Sequence, residues 1–222
     1  MGMKVRKPLV IVGAGGFGRE VAWLVQDINR QNSEWELLGF VDDKGPGITV
    51  EGIPILGPTS YIFELNPVPW VALAIADAKI RYRLMQEVQA RGIEMASLVH
   101  PSVIMSDFND IGSGSIICAG TIITTNVKLG RASIVNLGCF VGHDTVLGDC
   151  VSMMPATNLA GEVKVGTGTY FGLNACVINR KTVGEWCVIG AGAVVVDDIP
   201  ANSLAVGVPA RVIKKLDPDK GS

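Results

Sequence analysis

The sequence predicts a Rossmann-like α/β half-domain followed by a parallel β-helix, and three observations predict it. From Val99 an apolar residue returns at every sixth position: Val99, Met105, Ile111, Ile117, Ile123, Leu129, Val135, Val141, Leu147, Met153, Leu159, Val165, Phe171, Val177, Val183, Ile189 and Val195. A slower period lies on top, with Ile111-Gly112, Leu129-Gly130, Leu147-Gly148, Val165-Gly166 and Val183-Gly184 spaced by eighteen residues. Ahead of both sits an apolar run that breaks into a glycine-rich turn. A hexad repeat marks a β-helix. Each hexad supplies one short strand and one corner, and three hexads close a coil. A helix would need a period of 3.6 and an ordinary strand a period of two.

Taken in order, residues 8–12 read as a buried strand. Gly13, Ala14, Gly15, Gly16, Phe17 and Gly18 follow at once, then a helix over 19–29 with Val21, Leu24, Val25 and Ile28 at helical spacing. A second strand over 35–41 ends in Asp42-Asp43, twenty-four residues beyond Gly18. Strand, glycine-rich turn, helix, strand and acid form a nucleotide-binding pattern: the glycines let backbone approach phosphate, and the helix N-terminus offers N–H groups. The stretch 44–58 is rich in Gly and Pro and replaces a second helix of normal length, so the unit is half a dinucleotide fold. A short helix near 59–65, a strand over 70–75 and a helix over 78–91 complete it. The division is 1–97 for this domain, 98–200 for the β-helix and 201–222 for a C-terminal extension with a polar, disordered tail. No flexible linker separates the first two, which predicts close packing. Within the repeat, the residue two before each inward position is small or compact in most hexads, as at Ser115, Thr121, Ser133, Cys139, Thr145, Thr157, Thr169, Ala175 and Ala193. A crowded triangular interior requires this.

Bulk properties exclude some classes. A net charge of −2 and a pI near 5.7 give no global basic footprint for nucleic acid or anionic membranes. The chain is 48% hydrophobic and 18% charged, which fits a solenoid core plus a buried subunit interface. Outward Met154 and Trp186 point to covered sides. The basic, then apolar start has an apolar run of only about five residues before the glycines, too short for a signal sequence or a membrane span. The expected location is cytoplasmic. Five cysteines without C-x-x-C spacing argue against a disulfide framework or a zinc site, and packing is their expected role.

The chain has two histidines, which narrows the search for a base near neutral pH. His100, before Pro101 at the entrance to the repeat, reads as a structural cap. His143 falls two residues after inward Val141, on a corner facing outward, and Asp144 beside it can orient the imidazole and raise its basicity.

GAGGFGREV near the start, VGHDTVLGD in the middle and GVPAR near the end resemble the hexapeptide-repeat sugar acetyltransferases that carry an N-terminal nucleotide-sugar domain. These include the bacillosamine and perosamine N-acetyltransferases and the sialic acid O-acetyltransferase-like group. The resemblance spans about residues 8–213. It implies a left-handed β-helix and a homotrimer with active sites between subunits, using acetyl-CoA without a metal. It puts the catalytic base on His143 and its acid on Asp144. It puts acceptor contacts on Asn136, and contacts to the nucleotide-linked sugar on Gly13, Ala14, Gly15, Asp42 and Asp43. Leu173 and Ala191 match positions that touch the CoA arm through backbone, and the GVPAR segment reads either as a turn that seals the last coil or, as the resemblance implies, as a site where Arg211 or Lys214 meets a CoA phosphate. Three positions depart from the pattern: Ser152 replaces a second histidine that contacts acetyl-CoA, Phe17 replaces a histidine in the glycine-rich turn, and Ala76 replaces a glycine after the third strand. Gly161, one coil above His143, is positioned to offer its N–H to an oxyanion.

The leading expectation is acetylation of the amino group of a nucleotide-linked amino-deoxy sugar. O-acetylation of sialic acid or a related sugar is the alternative within the same machinery. An NAD-binding oxidoreductase or sensor is favoured by the glycine-rich turn but opposed by the missing second mononucleotide half. A non-catalytic trimeric scaffold is the remaining reading.

Overall fold

The structure, a computed structural model, describes residues 5–217. The first unit is a five-stranded sheet of β1 (Lys7–Val12), β2 (Trp35–Val41), β3 (Thr49–Val50), β4 (Ile53–Gly57) and β5 (Trp70–Leu73) in the order β3-β4-β2-β1-β5. All neighbours are parallel except the β3–β4 hairpin, which occupies the Gly/Pro-rich stretch. Leu9 to Val12 is wholly buried, as a central strand covered on both faces must be. Helix α1 (Gly16–Asn32) covers one face and α2 (Ala78–Ala90) the other, with a single 3₁₀ segment at Thr59–Phe63. Helix α1 begins three residues earlier than expected because the glycines form its first turn. A Cβ on Gly18 would lie 2.0 Å from the Gly13 carbonyl oxygen, so this close return of the chain demands glycine. The expected tail lies outside the described residues from position 218 onward.

Two-residue strands then stack into a parallel β-helix with three faces. The first face runs from Leu98–Val99 to Val188–Ile189 and is closed by the hairpin Ser203–Val206/Arg211–Lys215. The second runs from Ile104–Met105 to Val194–Val195, and the third from Asp110–Ile111 to Thr182–Val183. Each strand pairs with the strand eighteen residues on, as Ile134↔Ser152 and Phe140↔Asn158 show. The hexad series lines the interior from Ile117 to Val195. The compact positions two residues earlier are buried too, and their hydroxyls donate to carbonyls of the next coil: Ser115 to Gly130, Thr121 to Asn136 and Thr145 to Ala160, each at 3.0 Å. These bonds let polar side chains enter the core without an unsatisfied group.

Two expectations need correction. Met105 in the first coil is 42% exposed and Val99 and Ile111 are only partly buried, because no coil lies beneath to enclose them. Trp186 is covered from within the chain: its ring meets Tyr82 of α2 edge-on at 5.6 Å between centroids.

The three faces differ in what they present. Outward Leu98, Ile116, Ile134 and Ser152 on the first face are buried beneath the first unit, whose core merges with Ile116, Cys118, Ala132 and Cys150. The third face presents Asp110, Lys128 and Lys164, all exposed. The second presents an apolar column of exposed Ile104, Ile122 and Phe140.

Phe171 is fully buried in this stack between Met153 and Ile189 of neighbouring coils. Phe171→Ala is expected to cost about 3–5 kcal/mol, seen as a lower urea midpoint with an unchanged slope.

Candidate active site

His143 and Asp144 make the corner between the second-face strand Phe140–Val141 and the third-face strand Val146–Leu147. Asp144 adopts φ 58°, a left-handed turn that an Asp tolerates better than most residues. The imidazole Nδ1 lies 2.8 Å from Asp144 Oδ2, with the two side chains 57% and 52% exposed. Asn126 Nδ2 donates to the other carboxylate oxygen at 3.3 Å. The hydrogen bond from His143 is the main reason the Asp144 carboxyl is held below its ordinary value; desolvation opposes it, and Asn126 and the charge of His143 add to it. An ionised carboxylate only accepts, so in the neutral imidazole Nδ1 carries the proton and Nε2 the free lone pair. Gly161 lies directly above: a Cβ there would sit 2.5 Å from Nε2, so the ring rests on bare backbone. The Gly161 N–H donates to no acceptor among the described residues. An outward imidazole lone pair backed by a carboxylate can act as a general base.

The opposite edge of the second face, where it meets the first, carries the other residues expected in the β-helix. Asn136 is 6% exposed and its Oδ1 accepts the Leu137 N–H at 2.7 Å. Leu173 and Ala191 are exposed one coil apart on the same edge. Within one chain the width of the second face separates them from His143.

The glycine-rich turn forms a second centre. Helix α1 carries the chain from β1 to β2 on one side, while β5 lies on the other side of β1. The crevice outside the carboxyl ends of β1 and β5 is therefore a topological switch point, where open α/β sheets bind ligands. Gly13, Ala14 and Gly15 line it from β1, exposed Ala76 from β5, and Asp42-Asp43 close its β2 side. The N-cap of α1 is Gly15, without a side-chain cap and without acids in the first turn, which leaves the helix N–H groups and dipole open to an anion. Asp42 is committed to the turn itself. Its oxygens accept the N–H groups of Ala14 at 2.8 Å and Lys44 at 3.0 Å. Desolvation pushes its carboxyl up, but these bonds and the Lys44 charge outweigh it and hold the carboxyl below its usual value. Asp43 Oδ1 accepts the Thr59 N–H at 3.0 Å. A cleft of about 710 Å³ opens between the α2 N-terminus and the last coils, lined by Ala76, Lys79, Tyr170, Trp186 and Lys214 among others.

Two expected cofactor contacts are not brought to either centre. Ser152 is fully buried on the first face, where its hydroxyl accepts from Arg81 at 2.7 Å, so no ligand reaches it. The expectation failed because hexad phase says that Ser152 points outward but not that α2 covers it. Arg211 stands exposed on the closing hairpin, ion-paired with Asp197 at 3.1 Å. His100 is bonded through Nδ1 to Ser102 Oγ at 2.8 Å and through Nε2 to Asp27 of α1 at 3.3 Å, a link between the units. The cysteines are free thiols, four of them buried. Burial pushes Cys118 up to about 12 and Cys139 and Cys150 to about 11, so they are poor nucleophiles. Among the described residues no group of His, Cys, Asp and Glu is arranged to hold a metal, and no helix is long and apolar enough to cross a membrane. The residue that sequence reasoning missed is Arg81, since an arginine in a surface-spaced helix gives no sign of burial.

Residues 8–88 match the family model of the PglD N-terminal domain. Over 212 residues, covering 92% of this chain and 96% of the relative, the sequence is 34% identical to a GDP-perosamine N-acetyltransferase of Escherichia coli. The chain belongs to the hexapeptide-repeat sugar acetyltransferases. The acetyltransferase domain of PglB from Neisseria gonorrhoeae, solved in complex with acetyl coenzyme A, superposes with a TM-score of 0.88 at 31% identity, covering 94% of this chain and 100% of that one. A mutant perosamine N-acetyltransferase from Caulobacter crescentus, in complex with CoA and GDP-perosamine, gives a TM-score of 0.86 at 32% identity, covering 94% and 97%. As in these acetyltransferases, the coils wind into a left-handed β-helix behind an α/β domain.

Because the bond from His143 is the leading cause of the lowered Asp144 value, His143→Ala is expected to raise the Asp144 carboxyl toward 3.8. Carbon-detected NMR titration of the side-chain carboxyl measures it. The carboxylate stays ionised at neutral pH in both proteins, so activity lost in the variant belongs to the imidazole.

Proposed function

We propose that this acetyltransferase moves the acetyl group of acetyl-CoA onto the amino group of a nucleotide-linked amino-deoxy sugar, with His143 as general base. The observation that carries the reading is the His143–Asp144 pair, with Nδ1 held at 2.8 Å and Nε2 free over Gly161. The sugar amine attacks the thioester carbonyl, and a C–N bond forms as His143 Nε2 takes the amine proton. Asp144 stabilises the imidazolium. The C–S bond then breaks, and the proton on His143 is available to the departing CoA thiolate. The unengaged Gly161 N–H stands one coil above His143, where it can donate to the transient oxyanion. The nucleotide end binds in the crevice of Gly13, Ala14, Gly15 and Ala76, its phosphates against the open N-terminus of α1. Support for the substrate class comes from the relatives that bind CoA together with GDP-perosamine.

The site is completed by a neighbouring copy in a trimer. His143 and Gly161 occupy one edge of the second face, while Asn136, Leu173 and Ala191 occupy the other. Only a second chain can set one edge against the opposite edge. The exposed column of Ile104, Ile122 and Phe140 between the edges gives such an association its apolar contact. A location in the cytoplasm accords with the supply of acetyl-CoA and nucleotide sugars.

A CoA-release assay across UDP-, GDP- and dTDP-linked 4-amino sugars and free sialic acid tests the substrate class. Turnover of one of the nucleotide sugars is expected, whereas turnover of sialic acid alone would move the reading to O-acetylation. His143→Ala should lower kcat/KM by roughly 10²–10⁴, and full activity in that variant would remove His143 from the chemistry. Light scattering should give a mass near three times 23.4 kDa, and a monomer would contradict a shared site.

A further inference from the structure

Arg81, at the end of the first turn of α2, leads the fully buried side chains by size, with no exposed surface. A guanidinium has five N–H donors in a planar fork, and all five are engaged here. Nε donates to the Ala132 carbonyl at 2.9 Å. Nη1 donates to the carbonyls of Ile75 and Ala76. Nη2 donates to the Cys150 carbonyl at 2.8 Å and to Ser152 Oγ at 2.7 Å. No carboxylate forms an ion pair with Arg81 among the described residues. Asp77, the nearby acid, uses Oδ1 to cap the N–H groups of Lys79 and Ile80.

A buried cation that ion-pairs with no carboxylate is a poor choice for mere adhesion, because well-packed apolar residues hold two surfaces together at lower desolvation cost. What distinguishes Arg81 is what it joins. Ile75 and Ala76 continue β5 into the crevice beside Gly13, tied there by the Ala74 N–H to the Val12 carbonyl at 2.9 Å. Ala132 opens the coil that carries Asn136 and His143, and Cys150 opens the next coil, which carries Gly161. One rigid fork therefore spans the crevice wall and two successive coils of the catalytic ladder.

We propose that Arg81 is a positioning residue that fixes the distance between the nucleotide crevice and the acetyl-transfer edges, so that the acceptor amine arrives in register with the thioester. This rests on the functional reading above. The fork, not the charge alone, does the positioning. A lysine keeps the charge but offers three donors on a flexible stem.

Arg81→Lys and Arg81→Met are compared with wild type on the nucleotide sugar that wild type turns over in the panel. Assays run well below each melting temperature, and circular dichroism establishes that the protein is folded. The expected result is a fall of about ten- to hundredfold in kcat/KM for the nucleotide sugar. KM for acetyl-CoA should stay within about twofold of wild type, and Arg81→Lys should give little rescue. If Arg81→Met does not fold, Arg81→Lys carries the test. Unchanged sugar kinetics in a folded variant that melts lower would reduce Arg81 to a packing role and overturn the proposal, as would full rescue by lysine. A wild-type enzyme that acetylates nothing in the panel overturns the functional reading and this inference together. An active wild type with unaltered Arg81→Lys kinetics overturns this inference alone.

Discussion

The eighteen-residue coil is the constraint on which the rest of the molecule depends. Every strand of the solenoid hydrogen-bonds to the strand one coil away, as in Gly130 N–H to Leu147 O at 2.9 Å and Gly148 N–H to Val165 O at 2.9 Å. Residues eighteen apart therefore stack in columns. An inserted residue would throw a whole coil out of phase, since a slip by one position exchanges inward and outward side chains. In the functional reading, the chain accordingly builds its chemistry from the corners without a loop. His143 and Gly161 are column neighbours because the coil length makes them so, and Asn136 and Leu173 share the other edge for the same reason.

The same register sorts the outward residues into three surfaces. The face beneath the first domain is largely apolar and buried from Leu98 to Ile134, the third face carries exposed charges at Asp110, Lys128 and Lys164, and the early coils of the second expose Ile104, Ile122 and Phe140. Neighbouring coils present similar residues in each column over several steps, so a short periodic sequence encodes which part of each side meets a domain and which meets water. In the functional reading, the remaining side meets another copy.

This explains what was legible in the sequence. Hexad phase states which side chains enter the prism, and from Ile117 onward it does so correctly. The glycine-rich turn and Asp42 likewise announce a strand–turn–helix crevice. Phase says nothing of what lies over the outside. Ser152 and Trp186 both point outward, and both are covered by α2, which no local pattern reveals. Met105 has the right phase but no coil below it. Arg81 was invisible for a related reason: its partners are carbonyls fifty-one and sixty-nine residues away, and main-chain acceptors leave no trace in the identity of the residues that carry them.

Such an enzyme can diversify around contacts that do not depend on side-chain identity. Four of the five bonds made by Arg81 end on backbone oxygens, and only one ends on a side chain. At Arg81 the junction between first domain and solenoid thus reads the path of the polypeptide, whereas the apolar contacts of Ile116, Cys118 and Cys150 around it depend on side-chain shape. Side chains around the fork can change without removing its four main-chain bonds, provided the coil keeps its pitch. In the functional reading, a first domain tuned to a different nucleotide sugar keeps this anchor on an unchanged ladder as long as the apolar contacts around the fork are preserved, so that selectivity can drift at the crevice while the chemistry stays at the corners.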